Sequence, residues 1–256
     1  MTLEAIRVES VSKSFGTTRA VKDFSLIVAA GEIRGLLGPN GSGKSTTMKM
    51  IMGVLKPDSG SINLLGVDVL REPVNARRMV GYVPEAPHLY EYLTAAEYLD
   101  FVGTAYGIEP SARKERVEEL LHALQMEEHI NEVMSGFSAG MKQKVAITAA
   151  LMHRPKVLIL DESMNGLDPR SARIVKDIIH RLADGGVAVL FSTHVLEIAE
   201  AICHSITIMN EGSVLAEGTV QELRAQAGLP GSSLEETFLK LTGSEDTAKI
   251  VEALKL

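Results

Sequence analysis

Gly38-Pro39-Asn40-Gly41-Ser42-Gly43-Lys44-Ser45-Thr46 decides the fold of this chain. The run fits G-x-x-x-x-G-K-[ST], with Gly38, Gly43, Lys44 and Ser45 at the fixed positions. An apolar run, Ile33 to Leu37, precedes it, and Thr47-Met48-Lys49-Met50-Ile51-Met52 follows with helical character. Strand, loop and helix in that order are the setting of a phosphate-binding loop. The glycines let the backbone curl so that several N–H groups point at one anion. A helix starting near Gly43 adds its positive end. Lys44 is placed to reach β- and γ-phosphates, and the Ser45 hydroxyl to ligate Mg²⁺.

A second half of such a site lies downstream. Val157-Leu158-Ile159-Leu160 is wholly apolar, as a central parallel strand covered on both faces must be. Asp161-Glu162 follows at its C-terminal tip, where carboxylates beside a phosphate-binding loop act on Mg²⁺ and water. The spacing predicts a strand next to the Ile33–Leu37 strand, with Asp161 for the metal and Glu162 to polarise the attacking water. Phe137-Ser138-Ala139-Gly140-Met141-Lys142-Gln143-Lys144 opens a further helix, carrying Val145, Ile147 and Leu151. A hydroxyl and free N–H groups at a helix start, here Ser138 to Gly140, form an anion site.

Around these motifs the chain alternates strands and helices. Ile6 and Val8 alternate with charged residues, and Phe24 to Val28, Ser61 to Leu64 and Met79 to Val83 read as strands. From Thr94 to Met152 no strand-like run occurs. Thr94 and Glu97 have capping-box spacing, and Val117, Leu120, Leu121 and Leu124 fall on one helix face. Strands resume at Val157 and at Val187 to Phe191, with helices over 171–183 and 195–202. Ile206 to Met209 and Ser213 to Ala216 pair as a hairpin across Asn210-Glu211-Gly212. Pro230-Gly231 precedes a helix over 234–241, and the charged tail from Ser244 docks weakly or frays. The expected organisation is a first part of an α/β core over 1–93, a helical insert over 94–152, the second part of the core over 153–226, and a helical extension over 227–256.

Bulk properties narrow the classes. The 256 residues are 45% hydrophobic and 23% charged, ordinary for a soluble globular protein. A net charge of −7 does not favour nucleic acid, which needs clustered Lys and Arg. Arg71 with Arg77-Arg78 is a solvated helix face. The single cysteine, Cys203 in Ala201-Ile202-Cys203, rules out an intrachain disulfide and reads as a buried structural thiol. No apolar run reaches the roughly 18–20 residues of a membrane span. Met1-Thr2-Leu3-Glu4 lacks the basic and apolar regions of a signal peptide, so a cytoplasmic chain is expected. Any work at a membrane would need spans from another polypeptide.

The order of phosphate loop, helical insert, Ser-x-Gly helix start, strand–Asp–Glu, Gly166-Leu167-Asp168 and Thr193-His194 resembles the ATP-binding-cassette ATPases over residues 4 to 225. The resemblance implies a P-loop NTPase α/β core with a mainly parallel sheet, an N-terminal antiparallel β subdomain and an inserted helical subdomain. It also implies roles. Residues Gly38, Pro39, Asn40, Gly41, Ser42, Gly43, Lys44, Ser45 and Thr46 hold the phosphates of ATP. Phe15 stacks on adenine. Ser138, Ala139 and Gly140 bind the γ-phosphate of ATP held by an opposite subunit. Asp168 takes the D-loop place, and His194 that of the switch histidine near the γ-phosphate. Ser45, Glu85 and Asp161 surround Mg²⁺, with Glu85 where glutamine is usual. Phe-Ser-Ala-Gly-Met and Ser163-Met164 also depart from the family's common residues, while Lys44, Asp161, Glu162 and His194 are kept.

Gly81-Tyr82-Val83-Pro84-Glu85, Leu89-Tyr90-Glu91-Tyr92-Leu93-Thr94 and Leu234-Glu235-Glu236-Thr237-Phe238-Leu239 resemble the export branch of that family. The implied function is the ATP-hydrolysing subunit of a membrane exporter. It would lie peripherally on the cytoplasmic face, as a homodimer or beside a second cassette ATPase, with transmembrane permease subunits as partners. The alternative is a cassette ATPase that drives a membrane regulator of cell-wall remodelling or motility and moves no substrate. A cassette ATPase acting on DNA or ribosomes fits the charge poorly. His88, Leu89, Tyr90, Tyr92 and Leu93 form an aromatic–aliphatic cluster that either docks a membrane subunit or seals the insert against the core.

Overall fold

The structure, a computed structural model, describes residues 3 to 243. Strands β1 (Glu4–Phe15) and β2 (Thr18–Ala29) run antiparallel through a turn at Gly16. Sequence alternation reveals only pieces of them. Ser10 and Asp23 both sit at φ 49, and the register shifts between Val8 and Val11. A bulge of this kind reverses which side chains face inward. The buried set therefore runs Ile6, Val8, Val11 rather than in steps of two.

Strand β3 (Ile33–Leu37) leads through the glycine loop into helix α1 (Lys44–Ile51). Strands β4 (Ser59–Leu64) and β5 (Val67–Asp68) complete an antiparallel sheet of order β2-β1-β4-β5. After α2 (Pro73–Arg78) and β6 (Val80–Val83) come α3 (Ala95–Ala105), α4 (Pro110–Ala123) and α5 (Ala139–Leu151). Thr94 starts α3 with both halves of a capping box: its Oγ1 accepts from Glu97 N at 3.2 Å, and Glu97 Oε2 accepts from Thr94 N at 2.8 Å. On α4 the face of Val117, Leu120 and Leu121 is buried.

The remaining elements are β7 (Val157–Asp161), α6 (Pro169–Asp184), β8 (Ala188–Ser192), α7 (Leu196–Ile202), β9 (Ser205–Asn210), β10 (Ser213–Gly218), α8 (Val220–Gln226) and α9 (Leu234–Thr242). Helix α6 begins two residues before the expected start, because Asp168 caps it and Pro169 suits its first position. The tail from Ser244, and part of the extension expected over 227–256, lie outside the described residues.

The larger sheet has order β10-β9-β3-β8-β7-β6, parallel from β9 to β6 with β10 antiparallel on its edge. One expectation needs correction here. β7 does not neighbour β3, because β8 lies between them. The Asp161–Glu162 tip reaches the loop side of the site across Ser192 at the end of β8.

One face of this sheet packs on α3 to α6, where Leu99, Leu121, Leu158 and Phe191 share a single buried cluster. Full burial of each such side chain is worth about 1.5–3 kcal/mol, which fixes the helical segment to the sheet. The opposite face meets α1 and the antiparallel sheet through Phe24, Leu36, Met48 and Ile159. A third cluster, with Leu37, Ile206, Leu223 and Leu234, seats α7 to α9. Within the sheet Gly35 makes room for Cys203: a Cβ at Gly35 would lie 3.0 Å from the thiol sulfur. Among the described residues no helix is long and apolar enough to cross a membrane.

Candidate functional site

The glycine loop closes on itself before any ligand is considered. Gly41 and Gly43 sit at φ 80 and 104, conformations that side-chain-bearing residues rarely adopt. A Cβ on Gly43 would lie 2.5 Å from the Ala20 carbonyl oxygen. Gly43 caps α1 without a side-chain hydrogen bond. The first-turn N–H groups of the helix thus lack intrahelical partners and face the loop opening. Lys44 is 7% exposed, and its Nζ donates to the Gly38 carbonyl at 2.8 Å and the Pro39 carbonyl at 3.2 Å. That ammonium ties the first turn of the helix to the start of the loop. Burial lowers its pKa, against the pull of Glu162, Asp161 and Glu85. The Ser42 hydroxyl is buried with no partner among the described residues. Uncapped N–H groups, an orphan hydroxyl and an anchored ammonium together fit the phosphates of a nucleotide.

The opposite wall is held by hydrogen bonds from β8. Asp161 is buried, and its Oδ1 accepts from Ser192 Oγ at 2.7 Å. The same Ser192 Oγ accepts from Glu162 N at 3.0 Å. Glu162 is also buried and sits at φ 50, a left-handed conformation. Its Oε2 accepts from His194 N at 3.0 Å and lies 2.8 Å from His194 Nδ1, a hydrogen bond when that nitrogen carries the proton. The His194 ring is otherwise open to solvent. A carboxylate fixed in direction by a backbone N–H and an imidazole can hold and polarise a water.

The structure brings Phe15, Asn40 to Thr46, Glu85, Glu162 and His194 around one cavity of ≈ 510 Å³. Phe15 is 51% exposed at the tip of the β1–β2 hairpin, with Lys13 Nζ 5.8 Å from its ring centre. Ala20, which has no place in the sequence reading, lines the same end. Gly38, Pro39 and Asp161 are not on the lining; the first two act through carbonyls on Lys44. Ser138, Ala139, Gly140 and Asp168 are not brought to this cavity at all. Ser138 is exposed and caps α5, its Oγ accepting from Met141 N at 3.2 Å. Asp168 is exposed and accepts from Arg170 N and Ser171 N, both at 3.0 Å. Hydrogen bonds from Ser171 hold its carboxyl below the usual range. Two supporting residues have no role in the sequence reading: Ser192, and Gln143, which is buried on α5.

The family described as ABC transporter matches residues 21–165. The linearmycin resistance ATP-binding protein LnrL of Bacillus subtilis (strain 168) is 37% identical over 240 residues, covering 91% of this chain and 77% of that protein. The Nod factor export ATP-binding protein I of Paraburkholderia xenovorans (strain LB400) is 37% identical over 221 residues, 86% of this chain and 73% of that one. The solved structure of an ATP-binding subunit of an ABC transporter superposes with a TM-score of 0.88 at 36% identity, over 93% of this chain and 99% of that one. A dimeric, post-hydrolysis structure of the cassette MJ0796 bound to ADP and Pi superposes with a TM-score of 0.78 at 26% identity, over 84% and 98%. The phosphate loop, the acidic strand tip and these likenesses along most of its length converge: this chain belongs to the ATP-binding proteins of the ABC transporter family, which hydrolyse ATP.

Proposed function

We propose that this chain is the ATPase subunit of a membrane exporter, acting as a head-to-tail pair with a second copy or a close relative. The observation that carries the reading is the division of the site. Lys44, Glu162 and His194 share one cavity, whereas Ser138 stands exposed on α5 outside it. A helix start that presents a hydroxyl and N–H groups to solvent has the chemistry to bind a phosphate brought by another subunit. Ser45 and Asp161 would hold Mg²⁺, which neutralises charge on the phosphates, and Glu85 would lie beside it. Phe15 would offer the adenine an aromatic face. Export is supported by the likeness to the Nod factor export protein, a resistance role by the likeness to LnrL, and the dimer by the MJ0796 structure.

Docking to a membrane subunit has a surface of its own. Leu89 and Leu93 pack into the core, while Tyr90 and Tyr92 are exposed. Tyr90 joins Tyr98 and Phe101 in ring contacts at 6.3 and 5.7 Å. Beside them Met52, Val54, Tyr82, Tyr98, Val102 and Tyr106 line an apolar groove of ≈ 350 Å³. Such a patch suits a short amphipathic helix of a permease on the cytoplasmic side.

Mixing Ser138→Arg with Lys44→Ala tests the composite site. Each variant alone has no intact site, whereas a mixed dimer has one. We expect partial recovery of phosphate release on mixing. No recovery in mixtures shown by pull-down to hold mixed dimers overturns independent head-to-tail sites.

A further inference from the structure

Gln143 is a polar side chain at 2% exposure on α5, whose other buried side chains are apolar except for Thr148. Its Nε2 donates to the Ser163 carbonyl at 2.8 Å and reaches the Pro84 carbonyl at 3.4 Å. Those carbonyls lie on two different strand-end loops. Pro84 immediately precedes Glu85, and Ser163 immediately follows Glu162. We propose that Gln143 is a positioning residue for ATP hydrolysis, fixing the peptide after Glu162 so that its carboxylate keeps its direction. The inference rests on the reading of Glu162 as the group that orients water.

Several observations point the same way. Glu162 adopts φ 50, which a residue with a Cβ keeps only when neighbours hold it. Its own N–H is held by the Ser192 carbonyl at 3.2 Å, and its carbonyl accepts from Asn165 N at 3.2 Å. Gln143 secures the following Ser163–Met164 peptide through the Ser163 carbonyl. The turn is closed off from solvent: Ser163 is fully buried, and its hydroxyl has no partner among the described residues. A donor lost here would leave a carbonyl unpaired with no solvent to replace it. The same helix carries Ser138 five residues earlier, about 7.5 Å along the axis. The first turn of α5 is also close-packed on this loop, since a Cβ at Gly140 would lie 2.8 Å from the Gly166 carbonyl. The partner-facing end of α5 and the clamp on the Glu162 and Glu85 loops thus belong to one rigid element.

The test uses the full chain, with Gln143→Met, Gln143→Glu, Glu162→Gln and a double variant that combines Q143M and E162Q. Q143M keeps the volume and removes the donors. It should cut kcat by about 10²-fold, the size of a roughly 1 Å misplacement. Its Kd for ATP, read with a fluorescent ATP analogue, should stay close to wild type, while its melting temperature falls by a few degrees for the unpaired carbonyl. Q143E adds a signature that simple packing would not produce. A protonated carboxyl can donate to the Ser163 carbonyl and a carboxylate cannot, so the Q143E-to-wild-type rate ratio should rise as pH falls.

Combined with E162Q, Q143M should cost less than about twofold more, because it acts through the same carboxylate. Wild-type kcat in Q143M overturns the inference. So does a kcat loss that comes with weakened ATP binding, or a multiplicative loss in the double variant. If Q143M does not fold, a pH-independent rate ratio for Q143E overturns it instead. Near-wild-type hydrolysis by E162Q alone removes the Glu162 reading, and this inference with it.

Discussion

Strand β7 and helix α5 both deliver candidate site residues, and they do so in contrasting settings. β7 is buried along its whole length and delivers Asp161 and Glu162 among hydrogen bonds from β8. α5 presents Ser138 at its first turn, exposed, with its own helix as its partner among the described residues. A strand tip in a parallel sheet fixes side chains in advance, which suits groups that must meet a developing charge in one geometry. A helix start at the surface offers N–H groups that wait for an anion to arrive. On the proposed reading the core side serves chemistry and the helical side recognition.

The largest effect should come from the strand tip. Glu162→Gln should lower phosphate release by about 10²–10⁴-fold, the range for losing a general base, and leave ATP binding intact. With ATP the variant should elute as a dimer from a sizing column. Hydrolysis near the wild-type rate would place the chemistry elsewhere and dissolve the contrast.

On the helical side, Tyr90→Glu and Tyr92→Glu should abolish co-purification with the membrane subunit. Loss of a buried aromatic anchor costs an interface about 2 kcal/mol or more, roughly 30-fold in affinity. Tyr92 is 75% exposed, so the isolated variant should stay folded and bind ATP. A complex that survives both changes places docking elsewhere, and an unfolded variant makes the cluster part of the core.

Thr94→Ala removes the cap of α3 and should cost about 1 kcal/mol, read as a lower melting temperature with an unchanged Kd for ATP. An ATP affinity that fell with it would show the two regions to be more tightly linked than their separate chemistry suggests.

The smallest effect lies at the seam. His153 follows α5, stacks on Tyr106 at 3.9 Å and contacts the Val80 carbonyl through Nε2 at 3.1 Å. Burial lowers its pKa below the ordinary 6.5. The unfolded chain then binds the proton first as pH falls. Stability contributed by the neutral ring is full above that value and declines below it, levelling off beneath the folded pKa. His153→Phe should flatten the fall in melting temperature between about pH 7.5 and about pH 5.5. An unchanged slope would remove His153 from the account.

Much of this is legible in the sequence because the chemistry dictates local patterns. A phosphate loop needs its glycines, a doubly covered strand must be apolar throughout, and Thr94 with Glu97 announces a helix start. What escapes is set by long-range contacts or broken periods. The bulges at Ser10 and Asp23 hide the full length of β1 and β2. The place of β8 between β3 and β7 is a matter of sheet order, which no local pattern encodes. α8 is hard to read although Thr219 and Glu222 form a capping box, because seven residues give little periodicity. Gln143 looks like any polar helix residue; only the carbonyls it meets across the fold distinguish it.

The thiol tucked beside Gly35 has a practical consequence. Cys203 is the only cysteine in the sequence, and burial pushes its pKa up to about 12. At pH 8 only about one molecule in 10⁴ would carry the reactive thiolate. Although Cys203 is only half-buried by surface exposure, the native chain should therefore give a low background in maleimide chemistry. A cysteine placed at an exposed position near Ser138, and another beside the glycine loop, would accept spin labels or crosslinkers without removing Cys203. The approach of two subunits could then be followed as a distance in real time.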